Sequence, residues 1–255
     1  MKRISLIMPY YDNPEMLHIH LANWRGWPRK VSQRFEFILV DDGSPNHPAA
    51  EELVKAPALD DLDIKCFRVP VDKPWHQHAA RNIGAHEAKG NWLLLTDMDH
   101  LVPQSTAEAL LKIDDRCGTL NIPDVFTFTR RDAPGLEKKM HPKTGEEHPH
   151  PNSFCMTKDT YWTVGGYDED FCGIYGTDGM FRKRLWSIVN EVYLPEALVR
   201  YPREFVADAA TNTLPRKEGR DPNAKKDAER RKTELGRRGV ISTLTMPYVK
   251  AYPTK

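Results

Sequence analysis

The sequence predicts an α/β fold: a single, mostly parallel sheet with helices on both faces. Three observations predict it. Short, nearly continuous apolar runs recur through the first half of the chain, as in strands buried on both sides. A segment with helical spacing separates each run from the next. Several of the runs end in a polar cluster rich in Pro, Tyr, Asp, Gly and Ser. Strand and helix alternating in this way give a right-handed parallel sheet.

Ile4 to Met8 is the first strand, closed by Pro9-Tyr10-Tyr11-Asp12. Asn13 caps the helix that follows and Pro14 suits its first position, with Met16, Leu17, Leu21 and Trp24 near one face. Phe35 to Val40 is the second strand, ending in the turn Asp41-Asp42-Gly43-Ser44-Pro45. A helix over 48–56 leads to a third strand, Ile64 to Val69. Gln77 to Lys89 is a helix stopped by Gly90, and Trp92 to Leu95 is a fourth strand ending at Thr96-Asp97-Met98-Asp99.

The second half is less regular. Gln104 to Asp115 reads as a helix and Val125 to Arg131 as a strand. Residues 132–151 form a long polar loop, of the kind that is usually functional or mobile. Asn152 to Thr157 reads as a strand, Lys158 to Val164 as a short helix and Thr177 to Ser187 as another. From Pro215 to Val240 ten Lys/Arg face five Asp/Glu, while the whole chain carries +1. Asp221 and Pro222 start a basic helix there and Gly239 stops it. The expected organisation is a domain over 1–205, in halves 1–103 and 104–205, followed by a basic helical extension over 206–255.

Composition bounds the function. The chain has 255 residues, 40% of them hydrophobic and 29% charged, which is a globular mix and not a disordered one. Mean hydropathy is −0.62, and no apolar run approaches the ~18 residues of a membrane span. Near-zero net charge names no partner. The four cysteines make no CxxC pair and read as reduced core thiols. The apolar stretch after Lys2-Arg3 stops at Pro9, too short for a signal peptide, so a cytoplasmic setting is expected. GxGxxG after the first strand, GxxxxGK[ST] and GxSxG are all missing, which leaves a dehydrogenase, a P-loop enzyme and a serine hydrolase without support.

Ligands of open α/β sheets bind at the carboxyl ends of parallel strands. In strand geometry Asp97 and Asp99 point the same way and can face one ligand. Two neighbouring carboxylates repel each other and gain from a divalent cation, and Mg²⁺ or Mn²⁺ prefers one or two carboxylates plus the phosphates of a substrate. The competing reading of Asp97 is a helix cap or a solvated loop acid.

Five segments in order resemble one family. They are Ser5 to Tyr11, Ile38 to Ser44, Ala80-Arg81-Asn82-Ile83-Gly84, Leu95 to Asp99, and Val164-Gly165-Gly166-Tyr167-Asp168-Glu169 followed by Gly176-Thr177-Asp178. Together the chain is similar to family 2 glycosyltransferases with the GT-A fold. The resemblance implies an inverting transfer from a nucleotide sugar, a UDP-sugar being the commonest donor, to a saccharide or glycoconjugate hydroxyl. It implies that Pro9, Tyr11 and Asp42 line the base pocket and that Arg81 sits by the phosphates or buttresses the carboxylates. Asp97 would contact the donor's ribose side and help Asp99 hold Mn²⁺ or Mg²⁺, and Asp178 would be the catalytic base. Thr177 stands where the family usually has a second acidic residue.

Some enzymes of this fold add a downstream histidine to the metal. None follows position 150 here, so His100, His141, His148 and His150 are the candidates, with His150 preferred; solvated loop histidines are the competing reading. Trp162 is either an acceptor platform or core packing. Two alternatives are carried. One is a transferase acting on hydroxylated DNA bases through the basic segment 215–240. The other is a non-catalytic module that binds a nucleotide or polyanion.

Overall fold

The computed structural model describes residues 3–57, 59–72, 76–113, 122–135, 137–138, 140, 147, 149–172, 178–202, 204–206 and 244–253. The four strands expected in the first half are present: β1 (Ile4–Tyr10), β2 (Phe35–Asp41), β3 (Ile64–Arg68) and β4 (Trp92–Leu95). They form a parallel block in the order β3-β2-β1-β4. Beyond it come β5 (His100–Leu101), β6 (Asp124–Asp132), β7 (Glu137–Lys138), β8 (Phe154–Thr157), β9 (Asn190–Arg200) and β10 (Val249–Tyr252). Among the described residues all strands join one mixed sheet in the order β10-β3-β2-β1-β4-β8-β6-β9-β5, with β7 on β6.

Period-two alternation divides the core. Ile4, Leu6 and Met8 of β1 and Phe35, Phe37 and Leu39 of β2 face one side. There they meet Met16, Leu17, Leu21 and Trp24 of α1 (Pro14–Arg25) and Leu53 of α3 (Ala49–Lys55). A short helix, α2 (Arg29–Ser32), precedes β2, and α5 (Gln104–Lys112) covers the same side through Ala107 and Leu110. Ile7, Ile38, Leu93 and Leu95 face the opposite side. They meet α4 (Gln77–Glu87), α6 (Lys158–Thr163) and α7 (Gly179–Leu185) through Ala80, Ile83, Tyr161, Phe181 and Leu185. The result is the three-layer α/β architecture that the alternation predicts.

Two sequence signals are explained by close approach. A Cβ on Gly84 would lie 2.3 Å from Ile7 Cγ2, so the glycine lets α4 settle onto β1. Asn13 Oδ1 accepts from Met16 N at 3.1 Å and starts α1 behind Pro14, as expected.

Two expectations are corrected and one strand is added. The loop over 132–151 is partly folded back on the sheet: β7 pairs with β6, Met140 bridges to Glu147, and Glu147 is salt-bridged to Arg131 and Lys138. Strand β9 went unread because Pro195 interrupts its pattern. It survives there because the register with β6 jumps from Phe128↔Leu194 to Thr129↔Ala197, and Pro195 sits in the resulting bulge, where no ladder bond is needed. The extension over 206–255 is not helical to its end. Val206 is buried in the core, and β10 pairs antiparallel with β3 at the edge of the sheet. The basic segment 215–240, on which the DNA reading rests, lies outside the described residues, as do His141, His148 and Thr177.

Candidate active site

The two aspartates of the second turn divide their work. Asp41 builds it: Oδ1 accepts from Gly43 N (3.1 Å) and Ser44 N (2.8 Å), and Oδ2 accepts from Ala49 N (2.8 Å) at the start of α3. Asp42 is buried, yet its Oδ1 has no hydrogen-bond partner among the described residues. Burial, with Asp41 and Asp72 close by, pushes its carboxyl well above the usual range. Tyr11 donates to Asp72 Oδ2 at 3.1 Å, and Asp72 backs onto Gly43. Gly43 has φ +99°, and a Cβ there would lie 2.8 Å from Asp72 Cα. Half-buried Pro9 and Tyr11 and buried Asp42 thus stand at adjacent strand ends, β1 and β2, as the base-pocket reading requires.

Asp97 and Asp99 follow β4 in the turn that leads to β5. Each keeps its side chain 25% exposed, while Thr96, Met98 and His100 between and beside them are buried. Arg81 reaches the aspartate turn from α4. Its side chain is 1% exposed and pairs with Asp97 Oδ1, while Nη1 donates to Asn152 O at 3.0 Å and the guanidinium lies over the Tyr167 ring. Burial raises the Asp97 carboxyl, Arg81 opposes the rise, and the nearby charges of Asp99 and Asp178 add to it. Burial acts on Asp99 in the same sense, but the His100 imidazole, with Arg200 and Arg130 behind it, outweighs burial and holds the group below its usual range.

Histidines surround this turn. His100 Nδ1 is 2.6 Å from Asp99 Oδ1. His150 Nε2 is 3.4 Å from Asp97 Oδ2, its Nδ1 is 2.8 Å from Ser153 Oγ, and its ring stacks on His100 with centroids 3.8 Å apart. Burial, then the neighbouring His100, Arg130, Arg81 and Arg182, push His150 well below the ordinary histidine range and keep it neutral. His150 is therefore a member of the cluster and not a solvated loop histidine. On the other side, His20 of α1 bonds through Nε2 to Met98 O at 2.8 Å, and burial lowers its pKa to about 4. Neutral His20 can only donate there, so α1 grips the carbonyl between the two aspartates.

Asp178 sits at the start of α7, partly exposed, and its side chain caps no helix amide. It lies within electrostatic reach of Asp97, Arg81, His78 and Tyr167. Two of the sequence segments interlock through Asn82. Asn82 Oδ1 accepts from Tyr161 Oη (2.6 Å) and Tyr167 N (2.9 Å), and Nδ2 donates to Tyr167 O (2.7 Å) and Glu169 Oε1 (2.9 Å). Gly166, at φ +64°, is required because a Cβ would stand 2.7 Å from Asn82 Oδ1. Trp162 is half-buried and edge-on to Tyr161 at 5.0 Å, part of the packing around this loop.

Sequence reasoning did not place His20, Ser153 or Arg130 at the site. Only His20 had a signal: it falls on the same helical face as Met16, Leu17 and Trp24.

A GT-A sheet with a paired-aspartate turn beyond β4 and an acidic residue within electrostatic reach of it is the arrangement expected of a glycosyltransferase. Residues 5–173 match the family model described as Glycosyl transferase family 2, and the chain belongs to that family. Among curated proteins it is 28% identical over 111 residues to the undecaprenyl-phosphate 4-deoxy-4-formamido-L-arabinose transferase of Photorhabdus laumondii, a match covering 44% of this chain and 33% of that protein. The chain thus spans about a third of the curated relatives it matches. Among solved structures it is similar to S. aureus TarS in complex with UDP (TM-score 0.63, 15% identity, 91% of this chain, 65% of that one). It is also similar to the mannosyltransferase PcManGT from Pyrobaculum calidifontis in complex with GDP-Man and Mn²⁺ (TM-score 0.55, 16% identity, 78% of this chain, 56% of that one). No helix among the described residues is long and apolar enough to cross a membrane.

Proposed function

We propose that this glycosyltransferase moves a sugar, with inversion, from a nucleoside diphosphate (a UDP-sugar) to a hydroxyl of a saccharide or glycoconjugate. Residues 1–103 serve as the donor half and 104–205 as the acceptor half. The observation that carries the proposal is the convergence of Asp97, Asp99 and His150 at the end of β4, with Asp178 within electrostatic reach.

The donor set suits a divalent ion: two partly exposed carboxylates and an imidazole kept neutral, the form that ligates. Among the described residues these side chains do not form a ready-made group of three ligands; an ion here would need phosphate oxygens of the substrate as well. Asp99, Asp97 and His150 would hold Mn²⁺ or Mg²⁺; the TarS complex named above contains UDP and the PcManGT complex GDP-Man and Mn²⁺, which supports a nucleotide-sugar donor and a divalent ion. When bound, the ion neutralises charge on the departing diphosphate.

The chain's own groups do the rest. Asp42 offers an unsatisfied oxygen to an N–H on the base edge, with Tyr11 and Pro9 as walls. Arg81 and His100 keep the two aspartates in place. Asp178 takes the proton of the attacking hydroxyl from the face opposite the leaving group, which inverts the anomeric centre. Cytoplasmic residence belongs to the same proposal and accords with Cys66, Cys155 and Cys172 being thiols.

The test is release of nucleoside diphosphate from a panel of sugar nucleotides with Mn²⁺, followed by the product's anomeric configuration. UDP release with inversion is expected. Release from no donor, or retained configuration, overturns the proposal.

A further inference from the structure

Arg130 has a use that the reaction described above does not supply. It lies on β6, two residues before Asp132 and therefore on the same face of the sheet. Asp132 pairs across to Arg200 of β9, accepting from Nε at 3.0 Å and Nη2 at 2.8 Å. Arg200 in turn lies opposite His100 of β5, and Tyr201 N donates to Asp99 O at 2.9 Å. So β6 and β9 bring two guanidinium groups to the side of Asp99, while Arg81 attends Asp97 from α4.

The two arginines differ in one respect. Arg200 is bidentate with Asp132. Arg130 is only 9% exposed and its Nε is without a hydrogen-bond partner among the described residues, although the Asp132 and Asp99 carboxylates lie within electrostatic reach. A buried cation without a direct partner costs several kcal/mol, and an apolar side chain of similar volume is commonly more stable in such a place. The unpaired Nε leaves Arg130 a donor to offer a ligand. A guanidinium fork fits the paired oxygens of a phosphate or carboxylate.

We propose that Arg130, with Arg200 beside it, forms an oxyanion subsite next to Asp99, so that the acceptor of this enzyme carries a phosphate or carboxylate near its attacking hydroxyl. The inference deepens the proposed function and rests on its assignment of the Asp97–Asp99 turn to the donor diphosphate.

The test is calorimetric titration of phenyl phosphate and of benzoate into the full-length protein already saturated with UDP and Mn²⁺. The wild type and Arg130→Met are compared, with thermal unfolding of both. At least one anion is expected to bind the UDP-loaded wild type, and the tighter of the two names the group. Arg130→Met should weaken it at least about tenfold, the loss of one charge-assisted hydrogen bond, while unfolding at the same temperature as the wild type or higher. Equal binding by the variant, binding only when UDP is left out, no binding of either anion, or a clearly lower unfolding temperature for Arg130→Met each overturns the subsite. Failure of the wild type to take up UDP with Mn²⁺ in the first step is a separate result and counts against the donor reading instead.

Discussion

Replacing Glu169 by Gln tests the joint that ties the Thr245–Met246 segment to Asn82 of α4. Glu169 is buried, and its two oxygens are divided. Oε1 accepts from Asn82 Nδ2 at 2.9 Å; Oε2 accepts from Thr245 N (2.7 Å), Thr245 Oγ1 (2.6 Å) and Met246 N (3.1 Å). Glutamine has one acceptor oxygen. Whichever way its amide turns, its NH₂ group meets donors, either on Asn82 or on the Thr245–Met246 backbone. A hydrogen bond to a charged group is worth about 1.5–3 kcal/mol, and what remains loses its charge assistance, so Glu169→Gln should cost roughly 2–4 kcal/mol. For a chain of this size that is a fall in Tm of about 5–12 °C. The effect has a location as well. Thr245 and Met246 lead into β10, which is otherwise held by its ladder to β3 and by Tyr248 Oη on Glu87 at 2.7 Å. Amide exchange should therefore speed up over Val249–Tyr252 while β1 stays protected. Differential scanning calorimetry and hydrogen exchange read the two effects. A Tm change under about 2 °C, or a lower Tm with unchanged β10 protection, would refute the argument that Glu169 is the latch.

Three further outcomes are expected. Asp178→Asn should lower kcat by about 10²–10⁴-fold, the usual contribution of a general base, with UDP affinity unchanged in a competition assay; a variant with near-normal kcat removes Asp178 from the reaction. Activity lost to a chelator should return with Mn²⁺ or Mg²⁺ in the wild type, but Asp99→Asn should stay inactive at any concentration of added ion. Stability should fall in acid through Glu36. Burial pushes this carboxyl up, but Lys65 and Ser5, then Gly90 N, prevail and hold it below its usual value. A depressed folded-state pKa gives stability that is present above the unfolded value of about 4.5 and is lost as pH falls through the folded one. Urea midpoints between pH 7 and pH 3 (about the range where carboxylates titrate) should drop more steeply for the wild type than for Glu36→Gln. Parallel curves would show that Glu36 is not the group responsible.

The parallel block, its helices and the paired-aspartate turn were legible because each depends on neighbours in sequence. Alternation at Ile4–Leu6–Met8 and Phe35–Phe37–Leu39, the Asn13-Pro14 start and the run at Trp92–Leu95 are local signals. They predict strand, helix and turn without reference to the rest of the chain. The same holds for Asp42, Asp97, Asp99 and Asp178, which stand at strand and helix ends where such a sheet exposes its ligand site.

What each of those residues does was decided elsewhere. That Arg81 serves Asp97, that Asn82 and Glu169 bind a loop and the returning strand, and that His20 holds the turn all depend on partners far apart in the chain. So does the stack of His100 on His150. Strand β9 tolerates Pro195 only because a bulge opposite β6 removes the need for its N–H, and β10 exists only as an edge for β3 to pair with. Sequence alone determined the elements and the chemistry available at their ends, since both follow from periodicity and residue type. The tertiary structure decided which partner each carboxylate meets, and that the Nε of a buried arginine stands without a hydrogen bond among the described residues, because register and burial are set by contacts that no short stretch of sequence encodes.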